Sequence, residues 1–175
     1  MVEVVTLGCR INSYESEILK EKFADVDNLV IVNTCAVTSE AERQCRQTVR
    51  KLRKEHPEAK IVVTGCAAQV NPQMFEKMPE VDLVLGNKEK AALEEYIRGD
   101  LLEKTVVGDI FSYDGYDGYL ITGFEGRHRA FVQVQQGCNH RCTYCIVPFA
   151  RGNNRSVPEE QILKQIKTLL EQGFK

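Results

Sequence analysis

The sequence predicts an α/β protein: a parallel-sheet unit first, then a second unit with one strand and one helix. Three observations lead there. Over residues 1–98, short β-branched runs alternate with longer polar-faced segments of helical character, the pattern of βαβ units around a parallel sheet. The runs themselves do not alternate apolar with polar residues, as expected of strands covered on both faces. Beyond residue 98 this rhythm breaks, and a single strand-and-helix pattern resumes after it.

Taken in order, Val2–Thr6 is the first expected strand and Asn12–Phe23 the first helix. Leu29–Val32 follows as a strand, then Ser39–Glu55 as a helix on which Ala41, Cys45, Thr48, Val49 and Leu52 share one apolar face. Ile61–Thr64 and Val81–Leu85 read as strands, Pro72–Met78 and Lys88–Arg98 as helices. Residues 99–123 read as a linker, because Asp114-Gly115-Tyr116-Asp117-Gly118-Tyr119 doubles a turn-forming triplet and Gly123 and Gly126 follow. In residues 124–175, Phe131–Gln135 is a strand candidate and a Cys-rich loop comes next. A last helix is marked by Ser156 and Glu159 at capping-box spacing, Pro158 in the first turn and Gly173 at the stop. Ile162, Ile166, Leu169 and Leu170 form its stripe. One strand and one helix cannot bury a core of their own. The second unit therefore reads as cut off at Lys175 after its first βα step; the alternative is an extension packed on the first domain.

With 175 residues, 43% apolar and 27% charged, the chain has the balance of an ordinary globular protein. A net charge of −2 excludes a globally basic nucleic-acid binder, though not a local basic patch. No apolar run approaches a membrane span, and no basic segment precedes the first apolar stretch as a secretory signal requires. A cytoplasmic protein is expected. Seven cysteines, an odd number outside a secretory context, favour metal or redox chemistry over a disulfide framework.

Cys138, Cys142 and Cys145 are spaced C-x3-C-x2-C, close enough for one loop to wrap a single metal centre. Iron–sulfur clusters are held by Cys thiolates, and three ligands to a four-iron cluster leave one iron open for a substrate or cofactor. Zinc sites usually close with four ligands. His140 could be the fourth, but it sits between two of the cysteines, where ring closure is strained. Cys9, Cys35 and Cys66 are far apart in sequence, yet each directly follows an expected strand. Loops after parallel strands open at one sheet edge, where such sheets bind ligands. The three would converge there as a second three-thiolate site; the competing reading is that they are small apolar core residues. Cys45 belongs to the core face of its helix.

Arg43, Arg46, Arg50, Arg53 and Lys54 line the helix face opposite that stripe, either as a solvated surface or as phosphate contacts. Residues 126–158 contain no Asp or Glu but carry Arg127, Arg129, Arg141, Arg151 and Arg155 around the Cys138 loop. An anion-binding role is the favoured reading, whether for a cluster, a carboxylate or RNA phosphates.

Cys138-Asn139-His140-Arg141-Cys142-Thr143-Tyr144-Cys145 resembles the radical S-adenosylmethionine motif, including the aromatic before the last cysteine. Gly137 before it and Ile146-Val147-Pro148-Phe149-Ala150-Arg151-Gly152 after it resemble the methylthiotransferase version. Leu7-Gly8-Cys9, Asn33-Thr34-Cys35 and Thr64-Gly65-Cys66 resemble that family's N-terminal domain. Within the family (MiaB, RimO and MtaB branches), Arg10-Ile11-Asn12 after the first cysteine is most similar to the MtaB branch, which modifies N6-threonylcarbamoyladenosine beside the tRNA anticodon. MiaB proteins act on isopentenyladenosine and RimO proteins on a ribosomal-protein aspartate.

The resemblance implies a Rossmann/flavodoxin-like N-terminal domain over 1–98 and the first βα unit of a truncated radical SAM barrel over 124–175. It implies two [4Fe–4S] clusters, on Cys9, Cys35 and Cys66 and on Cys138, Cys142 and Cys145. The latter would bind S-adenosylmethionine and cleave it reductively, giving a radical that takes hydrogen from the adenine C2. The former would present sulfur, and a second S-adenosylmethionine the methyl group. Tyr144 would lie near the adenine of S-adenosylmethionine. The implied partners are tRNA, an electron donor and a sulfur donor, the last two unidentified, and the chain alone would lack a complete active site. The competing class is a non-catalytic iron–sulfur or zinc module.

Overall fold

The computed structural model describes residues 2–98, 103–115 and 119–175. Strands β1 (Glu3–Thr6), β2 (Leu29–Thr34), β3 (Lys60–Gly65), β4 (Leu83–Leu85) and β5 (Thr105–Val106) form one parallel sheet, ordered as in the chain. All residues of β2 are buried, and so are all of β3 after Lys60. This is why these runs carry consecutive apolar residues: Leu29, Ile31 and Val62 fill one face, and Val30, Val32 and Ile61 the other.

Helices α1 (Arg10–Lys22), α2 (Ser39–Glu55), α3 (Cys66–Val70), α4 (Pro72–Glu76) and α5 (Leu93–Arg98, after a 3-10 turn at Glu89–Ala92) complete the layers. Leu19 of α1 and Leu93 of α5 pack on one face, while Cys45, Val49 and Leu52 of α2 and Phe75 of α4 pack on the other. The first and last connections lie on one face and the two between them on the other while the strands advance in one direction, so they do not all share one hand. Helix α2 has the bounds its periodicity predicts. Thr38 caps it by accepting from the Ala41 amide at 3.0 Å, and Glu40 and Glu42 at its start and Arg53 and Lys54 at its end complement the helix dipole.

Several expectations are corrected. Helix α3 has only five residues, too few for a stripe to reveal it. The stretch 99–123 is not a linker throughout. Thr105–Val106 adds the fifth strand, Asp109 caps a 3-10 turn at Ile110–Ser112, and Ile121 is fully buried. Part of the doubled turn triplet, residues 116–118, lies outside the described residues. The strand expected at Phe131–Gln135 contracts to β6 (Gln135–Gln136), antiparallel to β7 (Arg155–Ser156). Among the described residues Phe131–Val134 lies in no ladder, and a strand needs a neighbour to satisfy its backbone groups.

Beyond β6 come α6 (Val147–Arg151) and α7 (Glu159–Glu171). No capping-box bond forms at α7: Pro158 is the N-cap residue, and Ser156 is taken up in β7. Gly173 does stop the helix, at φ +87°, with the Phe174 amide donating to Leu169 O at 3.1 Å. Of the α7 stripe only Leu169 is deeply buried; Ile166 and Leu170 are exposed. A third core, Tyr14 of α1 with Ile121, Phe124, Phe131 and Phe174, fastens this second unit onto the first. No helix among the described residues is long and apolar enough to cross a membrane.

Candidate metal centres

Cys9, Cys35 and Cys66 all stand at the C-terminal edge of the sheet. In register Thr6 pairs with Asn33 and Thr34 with Gly65, so Cys35 and Cys66 leave β2 and β3 side by side. The Leu7 amide donates to Asn33 O at 2.9 Å and brings Cys9 to the same edge. Two glycines make the approach possible. Gly8 has φ +113°, and a Cβ there would sit 2.9 Å from Cys35 Sγ; at Gly65, φ +97°, it would meet the Thr34 backbone at 2.5 Å. The Gly-Cys pairs are therefore steric requirements of the edge. Cys9 is exposed, at the N-cap of α1, where the helix dipole favours negative charge; Cys35 and Cys66 are buried. Burial pushes the Cys35 thiol up; the Val37 amide opposes this, and the neighbouring Cys66 and Cys9 sulfurs add to it.

A buried ionic network underlies the edge. The Asn12 side-chain amide donates to Leu7 O at 2.8 Å and to Thr34 O at 2.9 Å, tying β1 to β2, while its Oδ1 accepts from Arg151 Nη2 at 2.6 Å and from the Cys9 thiol at 3.7 Å. Arg151 also grips Glu15 through both carboxylate oxygens, and its Nε donates to Cys66 Sγ at 3.3 Å. Lys90 Nζ lies 2.8 Å from Glu15 Oε2 and 3.3 Å from Asn33 Oδ1. Burial raises the Glu15 carboxyl, but Arg151 and Lys90 outweigh it and hold the group at about 2. Burial pushes Lys90 down, with Glu15 opposing. Two cations against one carboxylate leave this network with an excess positive charge beside Cys66.

Thiols are the donors that an iron–sulfur centre takes, and this edge carries three of them. Among the described residues no three His, Cys, Asp or Glu side chains converge tightly enough for a single metal ion. A four-iron cluster asks for one thiolate per iron, not three on one ion, and an anionic centre here would meet the excess positive charge.

The C-x3-C-x2-C segment is an open loop before α6. The Cys145 amide donates to Cys142 O at 3.0 Å, closing the turn that carries both thiols, and the Cys138 amide donates to Gly152 O at 3.1 Å. Arg141 Nη1 holds Cys138 O at 2.7 Å and Nη2 holds Asn153 Oδ1 at 2.8 Å, so the loop is stitched to the turn before β7. Cys142 is exposed, Cys138 and Cys145 are half-buried, and Tyr144 is 91% exposed. His140 is exposed between them. Cys45 is fully buried on α2, its thiol pushed up to about 11, chiefly by burial.

The basic features divide. Arg53 is a fold element: it donates to Pro57 O, Ala59 O and Glu80 O and pairs with Asp82. Arg43 pairs with Glu40 on its own helix, whereas Arg50 is exposed with Glu80 at 3.8 Å, and Lys54 is exposed. In the acid-free stretch Arg151 is buried, and Arg155 donates to Tyr113 O, Arg151 O and Asn153 O. Sequence reasoning missed Asn12, Glu15 and Lys90 as members of the site. The available signal was two polar residues three apart on α1, immediately after Cys9, at positions that face the sheet.

Residues 1–86 match the profile of Uncharacterized protein family UPF0004, and residues 132–175 that of the Radical SAM superfamily. Over 99% of its length the chain is 49% identical to threonylcarbamoyladenosine tRNA methylthiotransferase MtaB of Rickettsia prowazekii, covering 41% of that protein. It is 42% identical to the protein of the same name from Aquifex aeolicus, over 97% of the chain and 45% of the relative. With the tRNA-2-methylthio-N(6)-dimethylallyladenosine synthase of Thermodesulfovibrio yellowstonii it shares 35% identity, over 99% of the chain and 43% of the relative. The chain thus spans less than half the length of these curated relatives.

Proposed function

The chain belongs to the radical S-adenosylmethionine methylthiotransferase family, and on that premise we propose that the whole protein is a tRNA methylthiotransferase. Its substrate in this reading is N6-threonylcarbamoyladenosine beside the anticodon, where C2–H becomes C2–SCH3. The observation that carries the proposal is the pairing of two three-cysteine sets: Cys9, Cys35 and Cys66 on adjacent strand ends, and Cys138, Cys142 and Cys145 on the loop leading into α6. Each set would hold a [4Fe–4S] cluster. When bound, the loop cluster supplies the electron that cleaves S-adenosylmethionine, and the strand-end cluster supplies a place for sulfur.

The chain's own residues bind and orient. Gly8 and Gly65 let the backbone segments that carry the strand-end cysteines approach at one edge, and Arg151 places positive charge beside Cys66. The exposed Tyr144 ring is available to lie on the adenine of S-adenosylmethionine. Residues 1–98 with β5 form the N-terminal domain in this reading, and 124–175 begin the radical SAM core. The protein would work in the cytoplasm with an electron donor and a sulfur donor.

The test uses the whole protein, reconstituted anaerobically with iron and sulfide. It is incubated with S-adenosylmethionine, dithionite and tRNA bearing threonylcarbamoyladenosine. Mass spectrometry of the digested nucleosides is expected to find the 2-methylthio derivative. Methylthiolation of isopentenyladenosine alone would move the substrate to the other tRNA branch. Stoichiometric zinc without S-adenosylmethionine cleavage would sink the enzyme reading.

A further inference from the structure

Arg151 is 4% exposed, and every one of its N–H groups faces an acceptor. Nη1 serves Glu15 Oε1 and Gln136 Oε1, and Nη2 serves Asn12 Oδ1 and Glu15 Oε2. The remaining donor, on Nε, is aimed at Cys66 Sγ from 3.3 Å. A guanidinium N–H carries both a directed donor and a positive charge, the complement of a sulfur that ligates an anionic cluster. Charge gives the same answer independently. Lys90 and Arg151 share the single carboxylate of Glu15, and the excess positive charge lies against the sulfur. Arg151 comes from the end of α6, a few residues after Cys145, and reaches a cysteine of the other set.

We propose that Arg151 is a positioning residue for the centre on Cys9, Cys35 and Cys66: its Nε–H and its charge hold the Cys66 sulfur in place as a ligand and raise the reduction potential of that centre. The inference rests on the reading of these three cysteines as cluster ligands. The Glu15 fork fixes the guanidinium plane, so the donor to sulfur does not swing away. Hydrogen bonds to cluster sulfurs and nearby charge are among the protein's means of setting cluster potentials. Because the guanidinium belongs to the Cys138 segment, the two cysteine sets are mechanically joined at one side chain.

The experiment uses the whole protein with Cys138, Cys142 and Cys145 replaced by Ala, so that only the strand-end cluster remains. Iron and sulfide are counted, and the potential is read by electron paramagnetic resonance during a redox titration. Arg151→Gln is expected to shift the potential to a more negative value. Because that change takes one of its two cations from the buried Glu15 carboxylate and leaves only Lys90, the double variant Glu15→Gln/Arg151→Gln removes both halves of the pair. It leaves the excess charge on Lys90 but no donor to sulfur, and the same negative direction is expected. Iron lost from a variant whose circular dichroism is unchanged also supports the proposal, since Cys66 is then no longer held. A potential equal to the parent's in a folded, loaded variant overturns it. A parent that takes up no iron–sulfur cluster overturns both this inference and the reading beneath it.

Discussion

The Tyr14 hydroxyl lies 3.1 Å from Gln165 Oε1, joining residues 151 positions apart in the buried seam between α1 and α7. The same Gln165 accepts from the Ile121 amide at 2.9 Å and donates to Ile121 O at 2.8 Å. One amide side chain thus satisfies a buried backbone segment that has no ladder of its own. Gln165→Leu keeps the volume but strands both Ile121 groups, while the Tyr14 hydroxyl keeps Tyr119 O at 3.1 Å. It should cost about 2–4 kcal/mol, against about 1 kcal/mol for Tyr14→Phe, which removes one donor. Urea unfolding of the two variants checks the order; equal costs would mean that Gln165 acts only by packing.

The network beneath the cysteines gives a pH dependence. Glu15 has its folded-state value lowered from 4.5 to about 2, so the stability it lends is fully present above its unfolded value. That contribution is lost as pH falls from about 4.5 through about 2. Glu15→Gln should remove this part of the acid limb and leave two buried cations without their carboxylate, a cost of about 3–5 kcal/mol near neutral pH. Stability measured from pH 7 to pH 2 tests it. Parallel curves for the parent and Glu15→Gln would refute the assignment.

Glycine substitutions separate steric need from conformational preference. Gly65→Ala puts a Cβ 2.5 Å from Thr34 N and O at φ +97°, where backbone cannot give way. Gly126, at φ +67°, has nothing within 4 Å of such a Cβ. Gly126→Ala should therefore cost only about 1–2 kcal/mol for its left-handed backbone. Gly65→Ala should exceed that, with overpacking adding about 1–3 kcal/mol, and should lower iron uptake by displacing Cys66. Melting curves and iron counts on both variants decide; a mild Gly65→Ala would mean the strand ends can part.

The parallel sheet was legible because β2 and β3 are buried on both faces, which leaves unbroken β-branched runs in the sequence. Cysteines after such strands then had to share an edge. What was illegible depends on contacts distant in the chain. Thr105–Val106 is a strand only because β4 lies beside it, and Phe131–Val134, apolar and alternating, lies in no ladder among the described residues. Glu15 and Lys90 look like surface charges until Arg151 arrives from 136 positions away to pair with Glu15. Arg53 was read as part of a charged face, but the carbonyls it serves come from the turn after α2 and from Glu80.

Cluster loading tests the assignment of the cysteines. Replacing Cys138, Cys142 and Cys145 by Ala in the whole protein should leave about half the iron, since one of two four-iron clusters remains. Replacing Cys9, Cys35 and Cys66 should do the same. Cys45→Ala should leave the iron unchanged, because Cys45 is fully buried on the sheet side of α2 and gives its thiol hydrogen to Cys35 O at 3.7 Å. Complete loss of iron from either triple variant would indicate one shared site; loss from Cys45→Ala would place it among the ligands.

The charged face of α2 makes the last test, and the structure divides it. Arg53 serves the carbonyls of His56, Pro57, Ala59 and Glu80 as well as Asp82, so Arg53→Ala should cost about 1.5–3 kcal/mol, the range for hydrogen bonds to charged groups. Arg50 is 57% exposed with its carboxylate at 3.8 Å, and Lys54 is exposed one turn further on, so both are available to an RNA phosphate at little cost to the fold. If this face meets tRNA, the Arg50→Gln/Lys54→Gln variant should bind more weakly. The slope of log affinity against log salt should then flatten by about one for each lost phosphate contact. Reductive cleavage of S-adenosylmethionine without tRNA should stay unchanged, because neither side chain belongs to a cysteine site. Filter-binding titrations of the whole protein at several salt concentrations measure the slope. An unaltered slope returns the face to solvent, and the RNA contact then belongs to the exposed arginines near the Cys138 loop or to other parts of the protein.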